Sequence, residues 1–548
     1  MHYATQLSLR FPPVEGLTVR GAFDGGALSS DFGPLLLRGI DRQIGLTERL
    51  ANAFRDLRHP SYIDHPIRAL FAQRTYQVAC AYEDGNDANA LRTDPLFKLG
   101  LERKPLDEAT DLASAPTFSR LENAATPQDI YRMAQAFVDQ FIASYAQPPA
   151  VMVLDMDHSE DAAHGQQEQL FYNHHYGSYC YLPLFIFEGL SGKLITAALR
   201  PGKRPTGAQN AAILKRVLRR LRAAWPKTHL ILRGDGHFDN PELMQLALDT
   251  PNTDFIFGLA GNAVLSPLAR PLLAQTRQLH ATHCQLAQRN HQAEPSATRT
   301  YHDLDYRAKT WPKAFRVVLK AEVMALGDNP RFVVTTLDLP SPESLCRDLY
   351  CARGQDENWI KMIKNDLASD RTSDHRFLAN HLRLFLSCAA YVLHHGLRTE
   401  VLVHTELAQA QPATVILKLF KIAVRVLQYK TASNCTCPVV AQSSTCCTAS
   451  PKSCSRPANR SGTLPNLRLR SLAATAAGPA TPWEGPRSPS APNFATLPTS
   501  RTLSTRKKPL PTTPSGPREG LRQAATYEID QSSCSNSPVY ETFGLAAV

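Results

Sequence analysis

The chain has 548 residues, 43% of them apolar and 20% charged, enough for about three or four domains with buried cores. No apolar run reaches the roughly 18 residues of a membrane span, and Met1-His2-Tyr3-Ala4-Thr5-Gln6 lacks the basic-then-apolar pattern of a secretion signal, so a membrane or secreted protein is not expected and a cytoplasmic one is. The net charge of +11 suits a polyanionic partner, but +7 of it lies after residue 430, so any nucleic-acid surface on the body must be local.

Residues 1–148 read as a helical unit. Pro66 to Tyr82 has helical apolar spacing and ends at Glu83-Asp84-Gly85-Asn86-Asp87, where Asp87 is placed to cap the next segment. Thr117–Asn123 and Ile130–Ile142 give two more helices. After Pro148-Pro149 the period changes. Val151-Met152-Val153-Leu154-Asp155-Met156-Asp157 is a continuous apolar run ending in acids, the pattern of a buried strand with carboxylates at its exit. Tyr179–Glu188 and Gly192–Leu199 read as two further strands joined by a short turn. The basic loop around Lys203 and Arg204 follows, and either touches a polyanion's backbone or is simply solvated. A basic amphipathic helix covers about Ala208 to Trp225, and Leu230–Phe238 is a strand with Asp235 between two glycines at its end. The order strand, strand, strand, helix, strand is that of a ribonuclease-H-like core, a mixed sheet flanked by helices, whose first segment covers 149–260.

Residues 254–259 add one strand, 261–339 read as a β-rich insertion, and 340–430 as the second segment of the core, with helices His381–His395 and Ala413–Tyr429. From residue 431 to 548 serine, threonine, proline and arginine dominate, with 15 of the 40 prolines, and disorder is expected. The 12 cysteines divide evenly between body and tail; the tail six have no histidine among them and poor spacing for zinc.

In Tyr350 to Lys364, the residues Tyr350, Arg353, Glu357 and Lys364 share one face if the segment is a regular helix. Such a stripe serves either as a solvated, ion-paired surface or as a site holding a metal and a phosphate. Acids at the ends of neighbouring strands, Asp157 or Asp155 and Asp235, favour the second: they repel each other unless a cation neutralises them. With Glu357 they make an oxygen-only ligand set suited to Mg²⁺ or Mn²⁺, two ions of which can promote an in-line phosphoryl transfer. Arg353 and Lys364, with Lys361 beside them, would bind phosphate, and Tyr350 would stack on or bond to nucleic acid.

Asp157-His158-Ser159, Arg233-Gly234-Asp235-Gly236-His237-Phe238 and the series Tyr350, Arg353, Glu357, Lys364 resemble the three motifs of DDE transposases of bacterial insertion sequences. The branch is the one whose third motif runs Tyr-x2-Arg-x3-Glu-x6-Lys. The resemblance spans roughly residues 15–430 and includes Tyr82–Asp87, Leu112–Asn123 and His164-Gly165-Gln166-Gln167. It implies a ribonuclease-H-like core with a β insertion before the glutamate, cleavage and strand transfer at terminal inverted repeats, and a multimer acting on double-stranded DNA in the bacterial nucleoid. It also implies Asp157, Asp235 and Glu357 as catalytic metal ligands, with Asp157 preferred over Asp155 because Ser159 follows it closely. The tail departs from the family, which suggests a frameshifted or read-through end and, as an alternative, a non-catalytic DNA-binding relic. A metal-dependent glycosyltransferase, from Asp155-Met156-Asp157, is a remote alternative that leaves Asp235 and the Tyr350–Lys364 segment unexplained.

Overall fold

The computed structural model describes residues 9–22 and 24–437. The tail from residue 438 onward, with the expectation placed on it, lies outside the described residues.

The central sheet is built as the apolar runs require. Strand β1 (Val151–His158) pairs antiparallel with β2 (Leu184–Glu188), which pairs antiparallel with β3 (Leu194–Ala198). Helix α4 (Gly207–Ala224), opened by a reciprocal Thr206–Gln209 cap, returns the chain to β4 (His229–Gly234), parallel to β1. Helix α5 (Pro241–Asp249) then leads to β5 (Thr253–Leu259), parallel to β4. The order β3-β2-β1-β4-β5 with these directions is a ribonuclease-H-like core, so the mixed sheet flanked by helices expected from the sequence is the fold observed.

Several boundaries differ from the sequence reading, each for a physical reason. Tyr179–Glu188 is broken at Leu182-Pro183, where proline removes a ladder donor, and its first half joins a separate small sheet. Segment 261–339 is not all β: it opens with the 25-residue helix α6 (Leu265–Arg289). Its strands β6 (Ala297–Tyr306), β7 (Phe315–Met324) and β8 (Arg331–Thr335) do not form an independent unit. They continue the central sheet, β8 pairing antiparallel with β5, then β7, then β6. The expected helix Ala413–Tyr429 stops at Phe420; Val424–Gln428 is a strand that buries Val424 and Val426 and pairs with Ser433–Thr436, so ordered structure passes residue 431. Asp87 does not cap from its side chain; its carboxylate accepts the Asp84 backbone N–H.

The N-terminal helices share one core with the second half of the chain rather than forming a body of their own. Helices α1 (Ile67–Ala79), α2 (Ala115–Asn123) and α3 (Pro127–Ala143) pack with α8 (Phe377–Gly396), which is buried on all sides and lies against β3. Phe71, Phe137, Phe385 and Phe187 belong to this one cluster. Glu168, just after His164-Gly165-Gln166-Gln167, accepts the Phe377 N–H and so caps α8. Among the described residues no helix is long and apolar enough to cross a membrane.

Candidate active site

Asp155 and Asp157 lie on one face of β1, two residues apart, yet their surroundings differ. Asp155 is fully buried and grips Arg233 through two bonds, Nε to Oδ1 at 2.5 Å and Nη2 to Oδ2 at 2.6 Å. The same guanidinium donates to the Leu349 carbonyl at 2.5 Å, tying β4 and β1 to the segment that carries Tyr350. Burial pushes the Asp155 carboxyl up while Arg233 pulls it down. Both Asp155 oxygens are thus engaged by Arg233 inside the protein.

Asp157 sits at the open end of β1. Its Oδ1 accepts the His158 N–H at 2.9 Å and its Oδ2 lies 3.2 Å from Arg353 Nη1. Desolvation raises its carboxyl to about 7, offset by Arg353 and reinforced by Asp235 and Glu357. The parallel register sets Gly234 beside Met156, so Asp235 and Asp157 are the next residues of two neighbouring strands. Asp235 accepts the His237 N–H at 2.9 Å, and the His237 ring stands 3.3 Å from its second oxygen.

The third motif is helical but irregular. A π-type turn (Leu345–Tyr350) and a tight turn (Cys351–Arg353) precede α7 (Gly354–Lys361), and a second π-type turn (Met362–Asp366) follows. Tyr350, Arg353, Glu357 and Lys364 are thus carried by π-type, tight and α-helical turns and not by one regular helix. Tyr350 packs its hydroxyl over Gly258, where any Cβ would clash with it, beside the Asp235 backbone. Arg353 turns inward among three acids, 3.2 Å from Asp157, 3.6 Å from Asp356 and 3.8 Å from Glu357. The Glu357 side chain is 53% exposed at the rim. Lys364 lies in the second π-type turn; its ammonium donates to the Glu160 carbonyl and lies 3.7 Å from Asp161. Lys361 is exposed. Lys203 lies over the Phe171 ring at 4.2 Å, and Arg204 faces Asp239, itself raised to about 6 by burial.

The structure thus brings together Asp157, Asp235, Glu357, Arg353 and Tyr350, and leaves Lys364, Lys361 and Asp155 outside that cluster. Two acids absent from the sequence reading join it or border it. Asp356 is fully buried against Arg353, raised to about 8 by burial and then by Asp157. Asp161 is equally buried opposite Lys364 and also raised to about 8, again by burial first. Asp356 precedes the motif glutamate directly, which was the available signal; Asp161 had none beyond its closeness to Asp157.

Among the described residues no three carboxylate, imidazole or thiolate groups stand close enough to enclose an ion as they are. The donor chemistry nevertheless fits a hard divalent cation. Asp157, Asp235 and Glu357 offer only oxygen, burial and then the neighbouring acids raise Asp157, and Arg353 lies within contact distance of Asp157 and Glu357. The rim position of Glu357 leaves its side chain free to turn.

A family description, the transposase DDE domain group 1, matches residues 11–444. No curated protein matches the chain. Among solved structures, a piggyBac transposase in a synaptic complex with hairpin DNA is similar at 14% identity and a TM-score of 0.39, over 71% of this chain and 79% of that one. The family match extends over most of the chain and over all three acidic motifs: the protein belongs to the DDE transposases.

Proposed function

We propose that the chain cleaves DNA and transfers strands at the terminal inverted repeats of an insertion sequence, working as a multimer on double-stranded DNA. The observation that carries this reading is the juxtaposition of Asp157 and Asp235 at the ends of adjacent parallel strands, with Arg353 and Glu357 delivered over them. Mg²⁺ or Mn²⁺, as two ions, would be held by Asp157, Asp235 and Glu357 and would supply activation of the attacking oxygen and stabilisation of the leaving one. Asp155 is reserved for Arg233, and the strand-end position supports Asp157 as the first acid.

The protein's own groups would do the rest. Arg353 is a fork of donors beside the carboxylates and would take a phosphate oxygen once the acids are otherwise neutralised. Tyr350, with its hydroxyl at the Asp235 backbone, would border the scissile strand. Lys361 projects into solvent beside Glu357, and Lys203 and Arg204 flank the same end of the sheet; these cations suit backbone phosphates, which position a duplex without reading its sequence. Lys364 supports the segment through Glu160 and would act on DNA only after leaving Asp161.

The test compares the full chain with Glu357→Gln on a duplex carrying the element's own ends, with and without Mg²⁺. Loss of cleavage with retained DNA binding is expected. Cleavage untouched by the substitution would remove Glu357 from the site, and binding without cleavage by the unaltered chain would favour the relic.

A further inference from the structure

A small hairpin formed by Phe171–Asn173 and Ser178–Tyr181 stands beside the site and takes no part in the reaction just described. Its outward residues are rings. Tyr172 and Tyr179 are a cross-strand pair with centroids 5.4 Å apart, and both are exposed. His174 lies 5.1 Å from Tyr172. At the turn His175 is 4.8 Å from Tyr176 and 6.4 Å from His237, whose ring touches Asp235. From the turn of the hairpin, the His175 and His237 rings thus lead to the Asp235 carboxylate.

The hairpin is anchored to a basic loop. Asn173 donates to the Gly202 carbonyl at 2.9 Å, and Lys203 covers the hairpin's buried-side ring, Phe171. Phosphate-only binding would call for cations where the tyrosines stand. Aromatic faces backed by cations are instead the composition of a surface that stacks unpaired bases and tracks their backbone, a mode tolerant of sequence. Bases inside a duplex are already stacked on one another and leave such rings unused.

We propose that this hairpin is a stacking platform for unpaired bases of the DNA strand held at Asp157 and Asp235. The proposal rests on the DNA-cleaving reading above and adds what the strand must look like there: frayed or single-stranded, not paired.

The test uses the full chain in EDTA, where nothing is cut, and two DNAs. One is a duplex with a single-stranded 3′ extension carrying 2-aminopurine; the other is the same duplex, blunt. The extended DNA should bind about tenfold more tightly, with its fluorescence quenched by stacking. Tyr172→Ala with Tyr179→Ala should erase both effects, whereas Tyr172→Phe with Tyr179→Phe should keep them. Equal affinity for the two DNAs, unquenched fluorescence in the bound state, or loss in the Phe pair as great as in the Ala pair would overturn the platform and leave the proposed function standing. Binding of neither DNA would overturn both.

Discussion

Asp155 and Asp157 occupy the same strand face, and replacing each by asparagine separates their roles. Asp155 and Arg233 are both buried and joined by two bonds of 2.5 and 2.6 Å. Asp155→Asn leaves a buried guanidinium without its counter-charge, a loss of about 3–5 kcal/mol in such pairs. Asp157→Asn acts in the other direction. The Asp157 carboxyl rises from 3.8 to about 7 on folding, so the folded state binds the extra proton between those values and ionisation above pH 7 works against it. The amide removes that penalty, and stability at pH 8 should hold or rise. The assay is urea and thermal unfolding at pH 8 in EDTA, paired with Mn²⁺ titration. Asp155→Asn should shift the unfolding midpoint strongly and, below that midpoint, bind Mn²⁺ as the unaltered protein does; Asp157→Asn should do the reverse. An Asp155→Asn protein of unchanged stability that had lost Mn²⁺ binding would refute the assignment of Asp155 to the frame.

Arg353 supplies the positive charge among Asp157, Asp356 and Glu357. Arg353→Ala should tighten Mn²⁺ binding about tenfold in calorimetry without DNA, while lowering cleavage; weaker Mn²⁺ binding would show that the guanidinium organises the acids rather than competing for them. Three histidines of α8 are buried and neutral: burial lowers His381 from 6.5 to about 3, and His394 and His395 to about 4. Below pH 6.5 each of these histidines binds a proton in the unfolded chain and not in the folded one, while the raised carboxyls of Asp157, Asp161, Asp239 and Asp356 act in the opposite sense, so the histidine contribution is read by difference: relative to His394→Gln, the unaltered protein should lose stability as pH drops from 6.5 toward 4, with a slope of up to one proton. A stability difference between the two proteins that does not change with pH across that range would contradict the neutral assignment.

Much of this arrangement was legible because the residues that build it act locally. The apolar run before Asp157 can only be a buried strand, and Arg233-Gly234-Asp235 ends another, so the two acids meet by topology alone. What stayed hidden depends on contacts distant in sequence. Asp155 and Asp157 have the same periodicity, and only Arg233, held in turn by Leu349, tells them apart. The π-type and tight turns that interrupt the segment from Tyr350 to Lys364 leave no mark in a helical pattern. Asp356 falls one position off the expected stripe, next to a glutamate that fits it. At Val424 and Val426 the alternation of a strand was present but short, and the preceding helical run masked it.

The pairing of β8 alongside β5 bears on how small this protein can be made. A bare β5 would present a row of unpaired amides and carbonyls to any passing chain, the usual seed of aggregation. The added strands move that open border outward to β6, where Arg299, Asp303 and Asp305 alternate with half-buried residues and discourage further pairing. At the opposite end β3 is shielded by α3 and α8. Excising residues 261–339 to obtain a minimal ribonuclease-H-like core would therefore yield a sticky sheet, not a soluble nuclease.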